Sequence, residues 1–135
     1  MPTIEGSCLC GGTKIKIENE EHNIQMICHC SDCKQTSGSG FTTNIVAKDA
    51  NLTVTGFKAD YVAKAASGND VTHTFCSKCG SSISYKSAIF GDATAVHTGN
   101  LLEHFKNVKV GGEFFTKDRW VAFTPFADTF QKETM

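Results

Sequence analysis

The chain has 135 residues, of which 40% are hydrophobic and 20% are charged, and its formal net charge is −1. This length fits a single domain with its own core, over residues 1–135. The near-neutral charge excludes the strong positive field that draws proteins to nucleic acid or to anionic membranes, so we expect neither partner.

Residues 1–7 lack the basic and apolar regions of a secretory signal, and no stretch reaches the roughly 18 apolar residues that a membrane helix needs. We therefore expect a cytoplasmic protein in which thiols stay reduced.

Short apolar stretches separated by turn residues predict many strands. Apolar and polar residues alternate over 13–18, as in a half-buried strand. Further strands are expected over residues 24–27, 41–47, 52–54, 61–63, 71–75, 82–85 and 93–98. The polar stretch 19–23 reads as a hairpin loop between the first two strands.

Residues 31–37 predict one or two turns of helix, capped by Ser31 or Asp32 and ended by Gly38. A short helix is also expected within 101–110. Phe114, Phe115 and the apolar stretch around Trp120 are interpreted as core. The pattern as a whole indicates a mostly β domain.

The seven cysteines fall into three motifs: Cys8 and Cys10, then Cys28, Cys30 and Cys33, then Cys76 and Cys79. A disulfide framework is a poor explanation because the count is odd, the spacing is tight and a signal is not evident. Buried core cysteines are another alternative, but core cysteines do not usually come as CxC and CxxC motifs beside glycine.

The outer motifs, with Cys8, Cys10, Cys76 and Cys79, supply the four thiolates of a closed structural zinc site. Cys28, Cys30 and Cys33 then form a second, catalytic-type zinc site with an open fourth position. Other partitions stay open: Cys28 and Cys33 could join Cys76 and Cys79, and an iron–sulfur cluster also takes four cysteines.

Two of the five histidines, His29 and His97, are distinguished by their sequence context. His29 lies between two candidate ligands, so its side chain should point away from the metal, either supporting the site or facing solvent. His97 lies on an apolar strand and is the most notable of the remaining four, which we expect to be exposed or paired with a neighbour.

Three stretches together resemble the glutathione-dependent formaldehyde-activating enzyme family, which also contains centromere protein V. They are Gly6–Gly11 with its CLC motif, residues 28–38 with the sequence CHCSDCKQTSG, and residues 75–81 with the sequence FCSKCGS. Gly56–Tyr61 and residues 99–101 extend the similarity over nearly the whole chain.

The resemblance implies a β-tent fold of several short coiled antiparallel sheets around a zinc site, similar to methionine sulfoxide reductase B. It implies structural zinc on the outer four cysteines and catalytic-type zinc on the central three. It also implies a carbon–sulfur lyase activity that joins a glutathione-like thiol to a small aldehyde such as formaldehyde, giving an S-hydroxymethyl adduct.

Two other functions are compatible with the same cysteines. A zinc-stabilised binding or scaffold module would use all three motifs structurally. A reductase like methionine sulfoxide reductase B would need a further free cysteine, and none remains if both sites are filled. In either case the sheet edges would allow association into a homodimer.

Overall fold

A computed structural model describes residues 2–65 and 67–135. Over these residues the chain forms eleven strands and two short α-helices. The strands are β1 Thr3–Ser7, β2 Thr13–Glu18, β3 Ile24–Cys28, β4 Thr42–Lys48, β5 Leu52–Gly56, β6 Ala59–Lys64, β7 Asp70–Phe75, β8 Ser82–Ser87, β9 Ala93–His97, β10 Lys109–Phe114 and β11 Phe130–Gln131. The helices are α1 Ser31–Ser37 and α2 Leu102–Phe105. The prediction of a mostly β protein is confirmed.

The larger sheet has eight strands in the order β11-β10-β3-β4-β9-β8-β7-β6. Most neighbours are antiparallel, but β10 pairs in parallel with both β3 and β11. The expectation of antiparallel sheets alone was therefore wrong at this edge. The chain leaves β9 through α2 before β10 begins, and such a connection lets a strand enter the sheet in the direction of its neighbour.

The smaller sheet has three strands in the order β1-β2-β5. The predicted hairpin across residues 19–23 was wrong, because β2 belongs to this sheet while β3 belongs to the larger one. The actual hairpin joins β1 to β2 through the turn that carries Cys8 and Cys10. Sequence reasoning missed β1, whose only buried residue is Ile4.

The main core lies between the two sheets. In β2 the side chains alternate, so Ile15 and Ile17 are fully buried while the lysines beside them are not. They pack with Ile45 and Val96 from the larger sheet and with Leu101. A second, smaller core on the opposite face of the larger sheet contains Cys28, Cys33, Val71, Tyr85 and Ala95.

The last part of the chain packs beside β10 and contributes the edge strand β11 of the larger sheet. Trp120 is about half exposed, at 50%, and stacks on Phe123. Val121 is fully exposed. The prediction that this apolar stretch is core was therefore wrong, because residues 120–123 join no sheet and none of them is buried. None of the helices within 2–65 and 67–135 has the length and apolarity to cross a membrane.

Candidate metal centres

Four sulfurs meet where two turns face each other. Cys8 and Cys10 lie in the turn after β1, and Cys76 and Cys79 lie in the turn between β7 and β8. Their sulfurs all lie within 4.8 Å of one another, with Cys8 and Cys10 at 3.5 Å and Cys10 and Cys76 at 3.7 Å. Zinc–sulfur bonds of about 2.3 Å in a tetrahedron place sulfurs about 3.8 Å apart. The four residues therefore fit a closed zinc site.

Each of these sulfurs also receives a polar hydrogen from the surrounding turns. The contacts are Thr13 N–H to Cys8 at 3.3 Å, Gly12 N–H to Cys10 at 3.4 Å, Cys79 N–H to Cys76 at 3.4 Å, and the Ser81 hydroxyl with Cys79 at 3.2 Å. Burial raises the pKa of Cys8, but the bonds from Thr13 and the neighbouring thiols outweigh it and lower that pKa to about 5. For Cys10 the Gly12 N–H lowers the pKa, but the Cys8 thiol and burial outweigh it and raise it to about 11. The N–H donors of the turns thus favour thiolates, the form that binds metal, while each ionised sulfur disfavours ionisation of its neighbour.

The other three cysteines form a separate cluster built from one short stretch. Cys28 is the last residue of β3, Cys30 is the N-cap of α1, and Cys33 lies in the first turn of that helix. The Cys30 sulfur accepts the Cys33 N–H at 3.3 Å, which takes the capping role predicted for Ser31 or Asp32. The predicted end of the helix at Gly38 is confirmed. The three sulfurs lie within 4.8 Å of one another.

Charge is distributed unequally over this cluster. Hydrogen bonds from Cys28 and then Cys33 lower the pKa of Cys30 to about 3. The bond with Cys30 raises the pKa of Cys28 far above its usual value. For Cys33, the bond with Cys28 lowers the pKa, but Cys30 and burial outweigh it and raise it to about 12. Without a cation the three sulfurs therefore hold one negative charge, and a cation is what would let all three ionise.

No fourth His, Cys, Asp or Glu among the described residues joins this group. The three sulfurs therefore fit a metal that keeps one position for a ligand from outside the set. The nearby Tyr85 phenol is buried, and burial, together with the charges of the cluster, raises its pKa.

His29 supports the three-cysteine cluster from behind. It is fully buried, and its Nε2 lies 2.7 Å from Oε1 of Glu113, which is also fully buried. The Glu113 carboxylate accepts the Phe126 N–H and the Gln131 amide at 2.8 Å each, and Arg119 lies 3.5 Å away. The supporting position expected for His29 is confirmed and the solvent-facing alternative is wrong. Glu113 could not be identified from its sequence context.

Aromatic rings cover the same region. Phe41 contacts the His29 ring at 5.7 Å between centroids and Phe123 at 5.2 Å. The Lys34 ammonium lies 5.3 Å from the Trp120 ring and donates to the Asp118 carbonyl. The carboxyl-terminal segment is therefore held against α1 and β3 by Glu113, by these rings and by Lys34.

Of the remaining four histidines, two have hydrogen-bond partners as expected, and two are buried with at least one ring nitrogen that has no partner. His22 pairs with Glu20 and His104 contacts the His22 carbonyl, as expected. His97 is 6% exposed and bonds to Asn44, whereas its Nε2 has no partner. His73 is 5% exposed and neither of its ring nitrogens has a partner, which contradicts the expectation that it is exposed or paired.

A cavity of about 550 Å³ lies elsewhere, between the two sheets, and borders neither cysteine cluster. Its charged groups already have partners, since Lys86 donates to Asp49 at 2.7 Å and Lys58 to the Val54 carbonyl at 2.8 Å. The chemistry of the molecule is therefore concentrated at the cysteines rather than in this cavity.

A family model described as "Glutathione-dependent formaldehyde-activating enzyme" matches residues 3–118, which contain both cysteine clusters. The chain belongs to the glutathione-dependent formaldehyde-activating enzyme family. A search of curated proteins finds no significant match. Among solved structures, a Rhodobacter sphaeroides protein is similar in fold, with a TM-score of 0.60 and 20% identity over 79% of this chain and 99% of that one.

The structure also decides between the partitions that the sequence left open. It brings Cys8, Cys10, Cys76 and Cys79 together and keeps Cys28, Cys30 and Cys33 apart from them. The alternative in which Cys28 and Cys33 join Cys76 and Cys79 is therefore wrong. All seven cysteines are free thiols, so the disulfide framework is also excluded. Both clusters of this family member can hold a metal, and their donors are consistent with zinc.

Proposed function

We propose that the protein is a zinc-dependent carbon–sulfur lyase that joins a glutathione-like thiol to formaldehyde or another small aldehyde, giving the S-hydroxymethyl adduct, and also catalyses the reverse. The observation that carries this proposal is the three-sulfur cluster, which no fourth donor from residues 2–65 and 67–135 joins, in a chain that belongs to a formaldehyde-activating family.

The proposal assigns the two clusters different roles. Cys8, Cys10, Cys76 and Cys79 hold a structural zinc, and Cys28, Cys30 and Cys33 hold a catalytic one. Zinc at the second site would supply a Lewis-acid position that lowers the pKa of a thiol and polarises a carbonyl. In this proposal the two sheets form the β-tent fold. The thiol and the aldehyde are the only partners that the reaction requires.

The residues of the chain orient this site. The Cys30 cap fixes the start of α1, so the sulfurs of Cys30 and Cys33 face the same point as Cys28. Glu113 holds the His29 ring and thereby the backbone between Cys28 and Cys30. Phe41 packs against the His29 ring and Phe123, which fixes the side of the cluster that His29 supports.

The first test is a comparison of wild type with Cys30→Ser and with Ser31→Ala, an exposed neighbour in the same turn. Metal content per chain is measured, and exchange of ¹³C-formaldehyde with glutathione is followed by NMR. We expect two zinc ions in wild type and in Ser31→Ala, one in Cys30→Ser, and accelerated exchange only in the first two. A Cys30→Ser protein that loses its second metal and keeps wild-type exchange would refute the mechanism.

A second measurement separates the enzyme from a scaffold. Cobalt is placed at the three-cysteine site and glutathione is added. A new sulfur-to-cobalt charge-transfer band is expected, because the glutathione thiol would add a fourth sulfur donor to those of Cys28, Cys30 and Cys33. An unchanged spectrum, together with no exchange activity, would favour the zinc-stabilised binding module instead.

A further inference from the structure

A row of buried polar side chains runs across the larger sheet from the three-cysteine cluster. Cys28 pairs with Thr42, and two residues further along β4 Asn44 pairs with His97 of β9. Directly paired residues, and residues two apart on a strand, lie on the same face of a sheet. Cys28, Thr42, Asn44 and His97 therefore share one face, and all four are buried.

The hydrogen bonds of this row fix the proton position on His97. The Asn44 amide nitrogen donates to the Thr42 hydroxyl oxygen at 2.9 Å, so the Asn44 amide oxygen is the atom that faces His97. It lies 2.6 Å from Nδ1 of His97. An amide oxygen only accepts, so Nδ1 carries the hydrogen and Nε2 of the neutral ring carries a lone pair. Thr42 pairs directly with Cys28 across β3 and β4, which links the row to the cluster.

Nε2 of His97 is buried and has no hydrogen-bond partner in the protein. An acceptor left unsatisfied in a buried position costs free energy, so such an atom indicates a missing donor. Burial and then His73 lower the pKa of His97 to about 4, while the charge of Cys30 opposes that shift. The ring is therefore neutral near pH 7. It lies 5.5 Å from the ring of Tyr85, which belongs to the same buried group as Cys28 and Cys33.

His73 of β7 and Tyr85 of β8 face the same region, but neither offers an acceptor nitrogen in a fixed tautomer as His97 does. The ring of His73 lies 6.1 Å from Tyr85, which itself lies 5.5 Å from His97. His73 has no hydrogen bond that fixes its tautomer, and its strand lies four positions from β3 in the sheet, whereas that of His97 lies two away. Tyr85 has a raised pKa and keeps its proton.

We infer that His97 is a catalytic residue of the three-cysteine site, with Nε2 accepting the proton of the incoming thiol and returning it to the substrate oxygen. The inference rests on the function proposed above. In the reaction the S–H bond breaks, the C–S bond forms, and the C=O double bond becomes a C–O single bond. The proton passes from sulfur to Nε2 and then to that oxygen, so nothing is oxidised or reduced. Asn44 is a positioning residue that holds the ring in the required tautomer.

The tautomer is tested without reference to activity. Nitrogen-15 NMR of the zinc-loaded protein should show His97 with a protonated Nδ1 and an unprotonated Nε2. Asn44→Ala should shift this ring toward a mixture of tautomers, whereas the exposed-histidine variant His104→Gln should leave its signals unchanged. A wild-type ring with its hydrogen on Nε2 would overturn the inference.

The chemical role is tested with His97→Gln in the ¹³C exchange assay. General acid–base groups contribute typically about 10²–10⁴-fold, so we expect at least about a hundredfold loss of catalysed exchange. Zinc content and the charge-transfer band with glutathione should stay as in wild type, which shows that the site has formed. His104→Gln should behave as wild type.

Each failure has a different meaning. If wild type accelerates exchange and His97→Gln does so equally well, the inference is wrong while the proposed function stands. If wild type does not accelerate exchange, the proposed function fails and the inference fails with it. If His97→Gln does not fold, Asn44→Ala decides: a loss of at least about tenfold with intact metal content supports the role, and unchanged exchange refutes it.

Discussion

The two cysteine clusters use the same ligand type but are built in opposite ways. The four-cysteine cluster joins turns that are more than sixty residues apart, and it packs in the main core between the sheets. The three-cysteine cluster comes from a single six-residue stretch and packs on the other face of the larger sheet. A cross-link between distant segments restricts the unfolded chain far more than a local one does.

The polar groups that surround the two cysteine clusters also differ. Each sulfur of the four-cysteine cluster has a donor from its own turns, and nothing titratable is left unpaired beside it among the contacts described. Near the three-cysteine cluster lie buried imidazole nitrogens without hydrogen-bond partners and the buried Tyr85 phenol, whose pKa is raised by burial and by the charges of the cluster. This difference matches the roles proposed for the two clusters, because a structural site needs only saturated sulfurs whereas unsatisfied buried polar groups gather where chemistry takes place.

The largest expected effect separates the clusters directly. Cys76→Ser should abolish cooperative folding, because structural zinc contributes about 10–16 kcal/mol in small domains and whole proteins are stable by about 5–15 kcal/mol. Cys30→Ser should stay folded and lose only one metal. Circular dichroism melts with metal content check both. Equal destabilisation by the two substitutions would show that the three-cysteine cluster is as structural as the other.

Much of the strand pattern could be predicted because it depends on local alternation. Residues 13–18 alternate apolar and polar side chains, and β2 has these bounds. The pairing could not be predicted, since β3 joins β10 more than eighty residues later and nothing near Ile24 specifies that partner. The carboxyl-terminal segment was misassigned for a related reason, because Trp120 is apolar yet stays half exposed where it packs on Phe123, under Lys34 and beside Gly40.

The cysteine sets could be predicted because ligand spacing is a local property. The supporting residues could not, because their roles depend on contacts across the fold. Glu113 follows two glycines and resembles any surface carboxylate in sequence, yet it is fully buried against His29. The orientation of His97 depends on Asn44, which lies fifty-three residues earlier and is adjacent only through the pairing of β4 with β9.

The second-largest expected effect concerns Glu113, which supports only the three-cysteine cluster, through His29. Glu113→Gln should lower the free energy of unfolding by about 3 kcal/mol, because breaking a buried ion pair leaves its partners unpaired. Its control is Glu103→Gln, which removes an exposed pair with Lys106 and should cost less than about 1 kcal/mol. Urea titrations measure both. A cost for Glu113→Gln no greater than that of the control would mean that the carboxylate does not hold the cluster.

A smaller effect appears as a pH dependence. Burial raises the pKa of Glu113, but the Gln131 amide, His29, Phe126 and Arg119 outweigh it and lower that pKa from 4.5 to about 2. A lowered folded-state pKa stabilises the protein fully above about pH 4.5, and this contribution is lost as the pH falls toward 2. The difference in unfolding free energy between wild type and Glu113→Gln should therefore shrink over that range. A constant difference would assign the stabilisation to packing rather than to charge.

The smallest effect uses two glycines that match in backbone but serve different clusters. Gly11 and Gly38 have φ values of 78° and 71°, and a Cβ at either would meet nothing within 4 Å. Alanine at each should therefore introduce only backbone strain of about 1 kcal/mol, which corresponds to about fivefold in an equilibrium constant.

Gly11 lies in the turn beside Cys10, so Gly11→Ala should weaken zinc binding at the four-cysteine cluster by about that factor. Gly38 ends α1 beyond the last ligand, so Gly38→Ala should destabilise the protein similarly while metal affinity at the three-cysteine cluster changes by less than about twofold. Chelator competition on both variants measures this, and an equal loss of metal affinity would mean that the helix end shapes its cluster as strongly as the turn shapes the other.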